Sequence, residues 1–298
     1  MKKMLLILNP MAGVRKANKL LPEMISEFNR GGYVINVWLT QGPGDAKKAA
    51  AALSADMDLV VCCGGDGTFH ETVSGIMESG RQIPLGYIPA GSTNDFASSL
   101  GLSLNPVTAA RDILEGQPSK LDLGRFGEQY FAYVASFGAF TRASYATPQS
   151  MKNTFGHLAY LLGGIGELSQ IRSVPVRLEI DGSVFEESLI FGAVSNCTSM
   201  AGVLSLKPEM VDMQDGLFEV MMVRKPRDLA ELGECLLAVQ RKDLKCKMIE
   251  LRVGRNIRIE MDPGIDWSLD GEKADGQPVV EIENLHHAYT IVKKEPKK

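Results

Sequence analysis

The apolar positions of this chain follow two rhythms, and the change between them is the first structural information. Up to about residue 115, short unbroken apolar runs alternate with stretches where apolar residues recur every three or four positions. Met4 to Leu8 reads as a buried strand. Leu20, Leu21, Met24, Ile25 and Phe28 then mark one face of a helix that Gly31 and Gly32 close. Val34 to Thr40 is a second strand, Asp45 to Ser54 an alanine-rich helix and Leu59 to Cys63 a third strand. Thr68 to Glu78 is helical, Ile83 to Pro89 a strand and Pro106 to Leu114 a helix. This alternation makes an α/β domain, a largely parallel sheet with helices on its faces.

After roughly Lys120 strands dominate. Tyr130 to Ser136, Val176 to Ile180, Phe185 to Ser195, Phe218 to Val223, Ile249 to Met261 and Val279 to Glu283 all read as strands. Two helical stretches interrupt them, Asn153 to Ser169 and Asp228 to Val239, and Asp181-Gly182 is a hairpin turn signal. This half is antiparallel β, a sandwich or a barrel-like sheet. A last strand, Ala288 to Val292, fits either half.

Composition narrows the class. At 298 residues the chain has room for two domains, and 45% apolar with 23% charged residues excludes disorder, collagen and coiled coil. A net charge of −4 without a long basic stripe argues against a nucleic-acid partner, because phosphate contacts dominate that affinity. The five cysteines, Cys62, Cys63, Cys197, Cys235 and Cys246, show no CxxC spacing and read as reduced thiols of a cytoplasmic protein. The first apolar run stops at Asn9-Pro10, too short for a secretion signal, and no run approaches the ~20 apolar residues of a membrane span. Any work at a membrane is then done from its surface.

The candidate chemistry sits in turns. Gly64-Gly65-Asp66-Gly67-Thr68 follows a strand and opens a helix, where close backbone approach and unpaired N–H groups suit phosphate. Asp66 beside such a cradle would repel phosphate unless Mg²⁺ bridges them; the plainer alternative is a tight turn with Asp66 as a cap. Gly91-Ser92-Thr93-Asn94-Asp95-Phe96 follows the next strand, and Asn9-Pro10-Met11-Ala12-Gly13 the first. Carboxyl ends of strands are where open α/β sheets bind ligands. Neither GxxxxGK[ST] nor GxGxxG is present.

Together with Asp215-Gly216-Leu217 and Leu269-Asp270-Gly271-Glu272, in the same order and spacing, these segments make the chain resemble the diacylglycerol kinase catalytic family of bacterial lipid kinases over essentially its whole length. The GGDGT turn is shared with NAD kinases and phosphofructokinases; the GSTNDFA and LDGE segments narrow the resemblance to lipid kinases. It implies a Rossmann-like ATP-binding domain over residues 1–124 and 289–298, a β-sandwich lipid-acceptor domain over residues 125–288, and an active site in the cleft between them. ATP contacts carried over by motif are Asn9, Pro10, Met11, Ala12, Gly13, Thr40, Gly64, Gly65, Asp66, Gly67, Thr68, His70, Glu71, Thr93 and Asn94. Asp66, Asp95 and Asp122 match positions that hold the catalytic Mg²⁺, partly through water. Asp212, Asp215 and the Leu217 carbonyl match a structural Mg²⁺ site. Glu272 matches the base that takes the proton of the acceptor hydroxyl, with Asp270 and Asp66 as competitors.

The resemblance further implies an ATP- and Mg²⁺-dependent kinase of a membrane lipid, diacylglycerol first among the acceptors, acting peripherally at the membrane, with homodimerisation through the β domain known in the family. The rival readings are a kinase of a soluble acceptor such as NAD and a non-catalytic binding regulator. Departures from the family pattern are Cys63 where a third glycine is common, Ala12 where serine is common, and Cys197 to Gly202 in place of a glycine triplet. Arg224-Lys225-Pro226-Arg227 and Arg241 through Lys247 are candidates for anionic headgroups, with solvated helix ends as the alternative. His286 and His287 read as solvated, Trp38 and Trp267 as packed, and the methionines Met210, Met213, Met221 and Met222 as core.

Overall fold

The computed structural model of the chain describes residues 1–13, 16–138, 172–200, 204–241 and 244–294. The helix expected at Asn153 to Ser169 lies outside the described residues. The chain divides into two compact units: Met1–Asp122 joined by the chain from His287 on, and Leu123–His286.

The first unit begins with β1 (Lys2–Leu8), the short α1 (Lys16–Lys19), α2 (Leu21–Arg30), β2 (Tyr33–Leu39), α3 (Asp45–Leu53) and β3 (Leu59–Gly64). It continues with α4 (Asp66–Glu78), β4 (Leu85–Pro89), α5 (Asp95–Ser99) and α6 (Pro106–Glu115). The sheet runs β2-β1-β3-β4 with every pair parallel. One of its faces, with Met4, Leu6, Leu8, Val61 and Cys63, packs on Met24 and Phe28 of α2 and on Ala109, Ala110 and Ile113 of α6. Unbroken apolar runs in β1 and β3 follow from burial on both faces of the sheet.

The second unit takes up β5 (Gln117–Phe126), which begins in the first, then β6 (Gln129–Phe131), β7 (Val134–Gly138), β8 (Val174–Ile180), β9 (Ser183–Ser195), and the two-residue β10 (Ser199–Met200) and β11 (Leu204–Ser205). Next come β12 (Phe218–Arg224), α7 (Leu229–Arg241), β13 (Ile249–Gly254), β14 (Asn256–Glu260), β15 (Trp267–Leu269), β16 (Glu272–Ala274) and β17 (Val279–Lys293). This is an antiparallel β-sandwich. The first half of β9 pairs with β8 and its second half with β7 and β12, so one long strand passes from layer to layer. The core lies between the layers, around Trp267, whose ring stands 5.0 Å from Phe126 and 4.8 Å from Phe137.

Three strand expectations need correction, and each has a local cause. The run Tyr130 to Ser136 is two strands, because the N–H groups of Ala132, Tyr133 and Val134 turn onto the Asp270 carboxylate at 2.5, 2.9 and 2.9 Å. The run Ile249 to Met261 breaks at Arg255, where the N–H groups of Arg255 and Asn256 both donate to Asp181 at 2.9 Å. Conversely, Val279 to Glu283 and Ala288 to Val292 belong to one strand, β17, with His287 at φ 54 between them. β5, β15 and β16 were not expected as strands. Trp38 on β2 is packed only in part, at 38% exposure.

Candidate active site

β1, β3 and β4 are in register at their carboxyl ends, with Leu8 beside Cys63 and Gly64 beside Pro89. Their three following turns therefore leave the sheet on one edge. Backbone bonds tie them: Asn9 donates to the Cys63 carbonyl at 2.9 Å and Ala90 to the Gly64 carbonyl at 2.7 Å. The Asn9 amide donates to Thr68 Oγ1 at 3.0 Å, while its Oδ1 accepts the Met11 N–H. A side chain on Gly91 would stand 2.6 Å from Gly65 Cα, and one on Gly13 (φ 48) 2.4 Å from the Ala90 carbonyl oxygen. Only glycine lets the three turns close on one another.

The helix that opens at this cluster starts two residues earlier than its pattern suggested. α4 begins at Asp66 behind Gly65, so Gly67 and Thr68 lie in its first turn, and no side chain caps its N-terminus. Its leading N–H groups and positive dipole end suit an anionic oxygen. Asp66 does not cap its own helix. Its carboxylate reaches α5, accepting from Asp95 N at 3.1 Å and Phe96 N at 3.3 Å. Asn94, in the left-handed region at φ 54, locks the turn by accepting from Gly91 N (2.9 Å) and donating to Gly91 O (3.0 Å). Asp66 thus joins the second and third turns.

The other nucleotide candidates divide. Thr40 closes β2, its N–H donating to the Leu8 carbonyl, and Met11, Ser92 and Thr93 are exposed. Pro10 accepts from the Asn18 amide, and His70 is half-buried on α4. The Glu71 carboxylate accepts from Gly44 N at 2.7 Å and Ala46 N at 3.1 Å, at the start of α3. It therefore fixes the start of that helix. Tyr87 lies under the cluster, its buried hydroxyl without a hydrogen bond and its pKa raised by desolvation and then by Asp66. Burial also pushes the neighbouring Cys63 thiol up to about 12, so it stays protonated. Asp95 is half-buried; Asp122 is fully buried, with Oδ1 accepting the His287 N–H at 2.8 Å.

In the second unit, the Leu269–Glu272 segment is the turn between β15 and β16, with Asp270 at φ 51 and Gly271 at φ 91. Asp270 is only 3% exposed and spends its carboxylate on the three N–H groups named above. That engagement ties the carboxylate to the bend between β6 and β7. The Glu272 carboxylate is exposed and makes no hydrogen bond among the described residues.

Asp212 Oδ1 accepts from Gln214 N at 3.0 Å and Asp215 Oδ1 from Leu217 N at 2.9 Å, while the Leu217 carbonyl accepts from Asn284 at 3.0 Å. Beside them sequence reading missed Glu219. It is 3% exposed, its Oε2 has no partner, and burial, then the charges of Asp215 and Asp212, push its pKa up to about 8. The available signal was a lone glutamate in the apolar run Phe218 to Val223.

Other expectations change. Arg224 is bound between Glu187 and Glu250, and Arg227 to Glu231, so these two cations of the first basic cluster are already neutralised. The second cluster lies partly outside the described residues. His286 and His287 are exposed but not merely solvated: the His286 ring stands against Gly216, and the His287 backbone is held by Asp122. No helix among the described residues is long and apolar enough to cross a membrane.

Known proteins share both units. Residues 3–126 match the family model described as diacylglycerol kinase catalytic domain, and residues 134–292 match the model described as YegS C-terminal NAD kinase beta sandwich-like domain. A diacylglycerol kinase of Staphylococcus epidermidis is 33% identical over 273 residues, covering 91% of this chain and 86% of the relative. One of Bacillus subtilis is 29% identical over 297 residues, covering 99% and 98%. A solved structure from Bacillus anthracis str. Sterne, described as a putative diacylglycerol kinase, superposes with a TM-score of 0.83 at 25% identity, covering 98% of this chain and 95% of that one. A second from the same organism, described as a diacylglycerol kinase, gives 0.75 at 22% identity over 98% and 97%, a likeness of fold alone.

Proposed function

The chain belongs to the bacterial diacylglycerol kinase catalytic family, and from that premise we propose that it transfers the γ-phosphoryl group of ATP to a hydroxyl of a membrane lipid, diacylglycerol first, giving phosphatidic acid. The observation that supports this most is the cluster of three turns, the second and third joined through Asp66 and the first tied in by Asn9, with the uncapped start of α4 inside it. Phosphoryl transfer needs positioning and charge stabilisation far more than covalent chemistry. The α4 N–H groups and the backbone of Gly65 to Gly67 would hold phosphate oxygens, and Thr68, steadied by Asn9, would line their edge.

Asp66, Asp95 and Asp122 are the carboxylates that would hold Mg²⁺ at the phosphates, and Asp212, Asp215 and the Leu217 carbonyl would hold a second ion. Carboxylate and carbonyl oxygens are the donors that a hard cation takes, partly through water. The ion would supply neutralisation of phosphate charge. Glu272 would accept the proton of the lipid hydroxyl, because its carboxylate is exposed and uncommitted. Asp270 would position it by fixing the turn on which it rides.

The test is transfer of labelled γ-phosphate from ATP, with Mg²⁺, to a panel of lipids in mixed micelles, beside a lipid-free arm containing NAD. Label in diacylglycerol is the expected result. Label only in NAD, or none while ATP binds, would overturn it.

A further inference from the structure

The edges of the chain's sheets are not treated alike. Natural sheets guard an open edge with charges, proline, bulges or shortness, because an unguarded edge pairs with another chain. Among the described residues β13 pairs only with β12 and carries Glu250 and Arg252 in an ion-pair network with Arg224. β16 likewise pairs only with β15 among the described residues, is three residues long and contains Glu272 and Lys273. β2 has neither guard. Its sequence, Tyr33-Val34-Ile35-Asn36-Val37-Trp38-Leu39, holds no charge, proline or glycine, and it pairs with β1 over all seven residues without a bulge. Among the described residues its other edge is open, with Val34 at 45%, Val37 at 39%, Trp38 at 38% and Leu39 at 46% exposure.

The occupant this edge fits can be worked out from its own register. The Gly32 carbonyl accepts from Lys2, and Thr40 N–H donates to Leu8. Even-numbered residues therefore bond to β1, and Tyr33, Ile35, Val37 and Leu39 direct their N–H and C=O groups outward. If a second β2 lies antiparallel about a dyad at Asn36, each outward residue meets an outward residue, Tyr33 opposite Leu39 and Ile35 opposite Val37. Those are the pairs that exchange hydrogen bonds in an antiparallel ladder. On the other face Val34 falls opposite Trp38, so exposed apolar side chains meet one another. Trp38 is already fixed, its indole N–H donating to Asp45 Oδ2 at 3.2 Å, which lowers the ordering cost of using it as an anchor.

We infer that β2 is an isologous dimer edge, joining the first units of two copies of this chain into one continuous sheet. Isologous pairing closes on itself and leaves no edge for further growth. A single strand pair buries little, so the dimer is expected to form in about the 1–100 μM range rather than to be obligate. The inference stands apart from the kinase reading and from dimerisation through the β domain.

Sedimentation velocity of the full chain over that concentration range tests it. Wild type is expected to move from monomer to dimer. Val37→Lys and Val37→Pro are expected to stay monomeric with unchanged melting. Proline there removes only an outward donor, which an edge strand tolerates. Asn36→Cys is expected to give an intermolecular disulfide under mild oxidation, because the dyad sets the two copies of this position directly opposite. Wild type remaining monomeric throughout would overturn the inference. So would a dimer that survives both Val37 variants, absence of the cross-link in Asn36→Cys, or vesicle binding by the monomer that the Val37 variants abolish.

Discussion

Two Asp-Gly turns in this chain read alike in sequence and behave differently in the fold. Asp66-Gly67 opens a helix at the end of a parallel strand, and Asp270-Gly271 links two short antiparallel strands. Both carboxylates accept backbone N–H groups from a segment distant in sequence. Asp66 takes two from the start of α5 and stays half-buried. Asp270 takes three from the bend between β6 and β7 and is nearly inaccessible. The lesson is that burial and the number of bonds already made decide whether an acidic residue serves chemistry or architecture. Asp66 retains access for a ligand. Asp270 holds the bend, and the exposed acid beside it, Glu272, is the one proposed to serve the reaction.

The largest expected effect that could break this contrast is on Asp270. Asp270→Ala leaves three N–H groups without their acceptor in a buried bend, each worth about 1 kcal/mol or more, so at least about 3 kcal/mol of stability is expected to disappear. Chemical denaturation of the variant measures it; a loss below about 1 kcal/mol would show that the bend holds without the carboxylate. Glu272→Gln comes next. It should lower kcat by about 10²–10⁴-fold, as removal of a general base does, with melting unchanged.

Asp66→Asn should weaken nucleotide binding and remove about 1–2 kcal/mol, because an amide cannot accept both α5 N–H groups. Calorimetric titration with ATP and thermal melting together separate the two losses. A pH-dependent effect is expected at Glu219, an acid away from both turns. Its folded pKa of about 8 lies above the ordinary carboxylate value of 4.5, so the buried group favours its neutral form. Its folded-state advantage is present below pH 4.5 and lost as pH rises toward 8. Glu219→Gln should therefore match wild type in melting near pH 4.5 and exceed it increasingly up to pH 8. A constant difference across that range would rule out the buried acid as its cause.

Much of this architecture was legible because periodicity reports burial directly. The helical and unbroken apolar patterns of the first unit follow from packing against a parallel sheet, and the Asp181-Gly182 hairpin from its turn chemistry. What failed was caused by partners remote in sequence. Nothing near Ala132 announces that a carboxylate 138 positions away will bend the strand, nor near Arg255 that Asp181 will do the same. The candidate turns of the first unit were likewise visible in their glycines. The commitments of Asp66 to α5 and Glu71 to α3 were not, because a motif names a residue and not the donors that tertiary packing aims at it. Glu219 escaped notice because one acid in an apolar strand carries no pattern.

The central claim is that architecture and chemistry are divided between neighbouring acids of one turn. The most direct measurement sets Asp270→Asn beside Glu272→Gln and reads kcat for labelled phosphate transfer to diacylglycerol together with melting temperature. Glu272→Gln is expected to keep its melting temperature and lose kcat, while Asp270→Asn is expected to melt several degrees lower and retain kcat in its folded fraction. Full kcat in Glu272→Gln, with an abolished kcat in a well-folded Asp270→Asn, would contradict it.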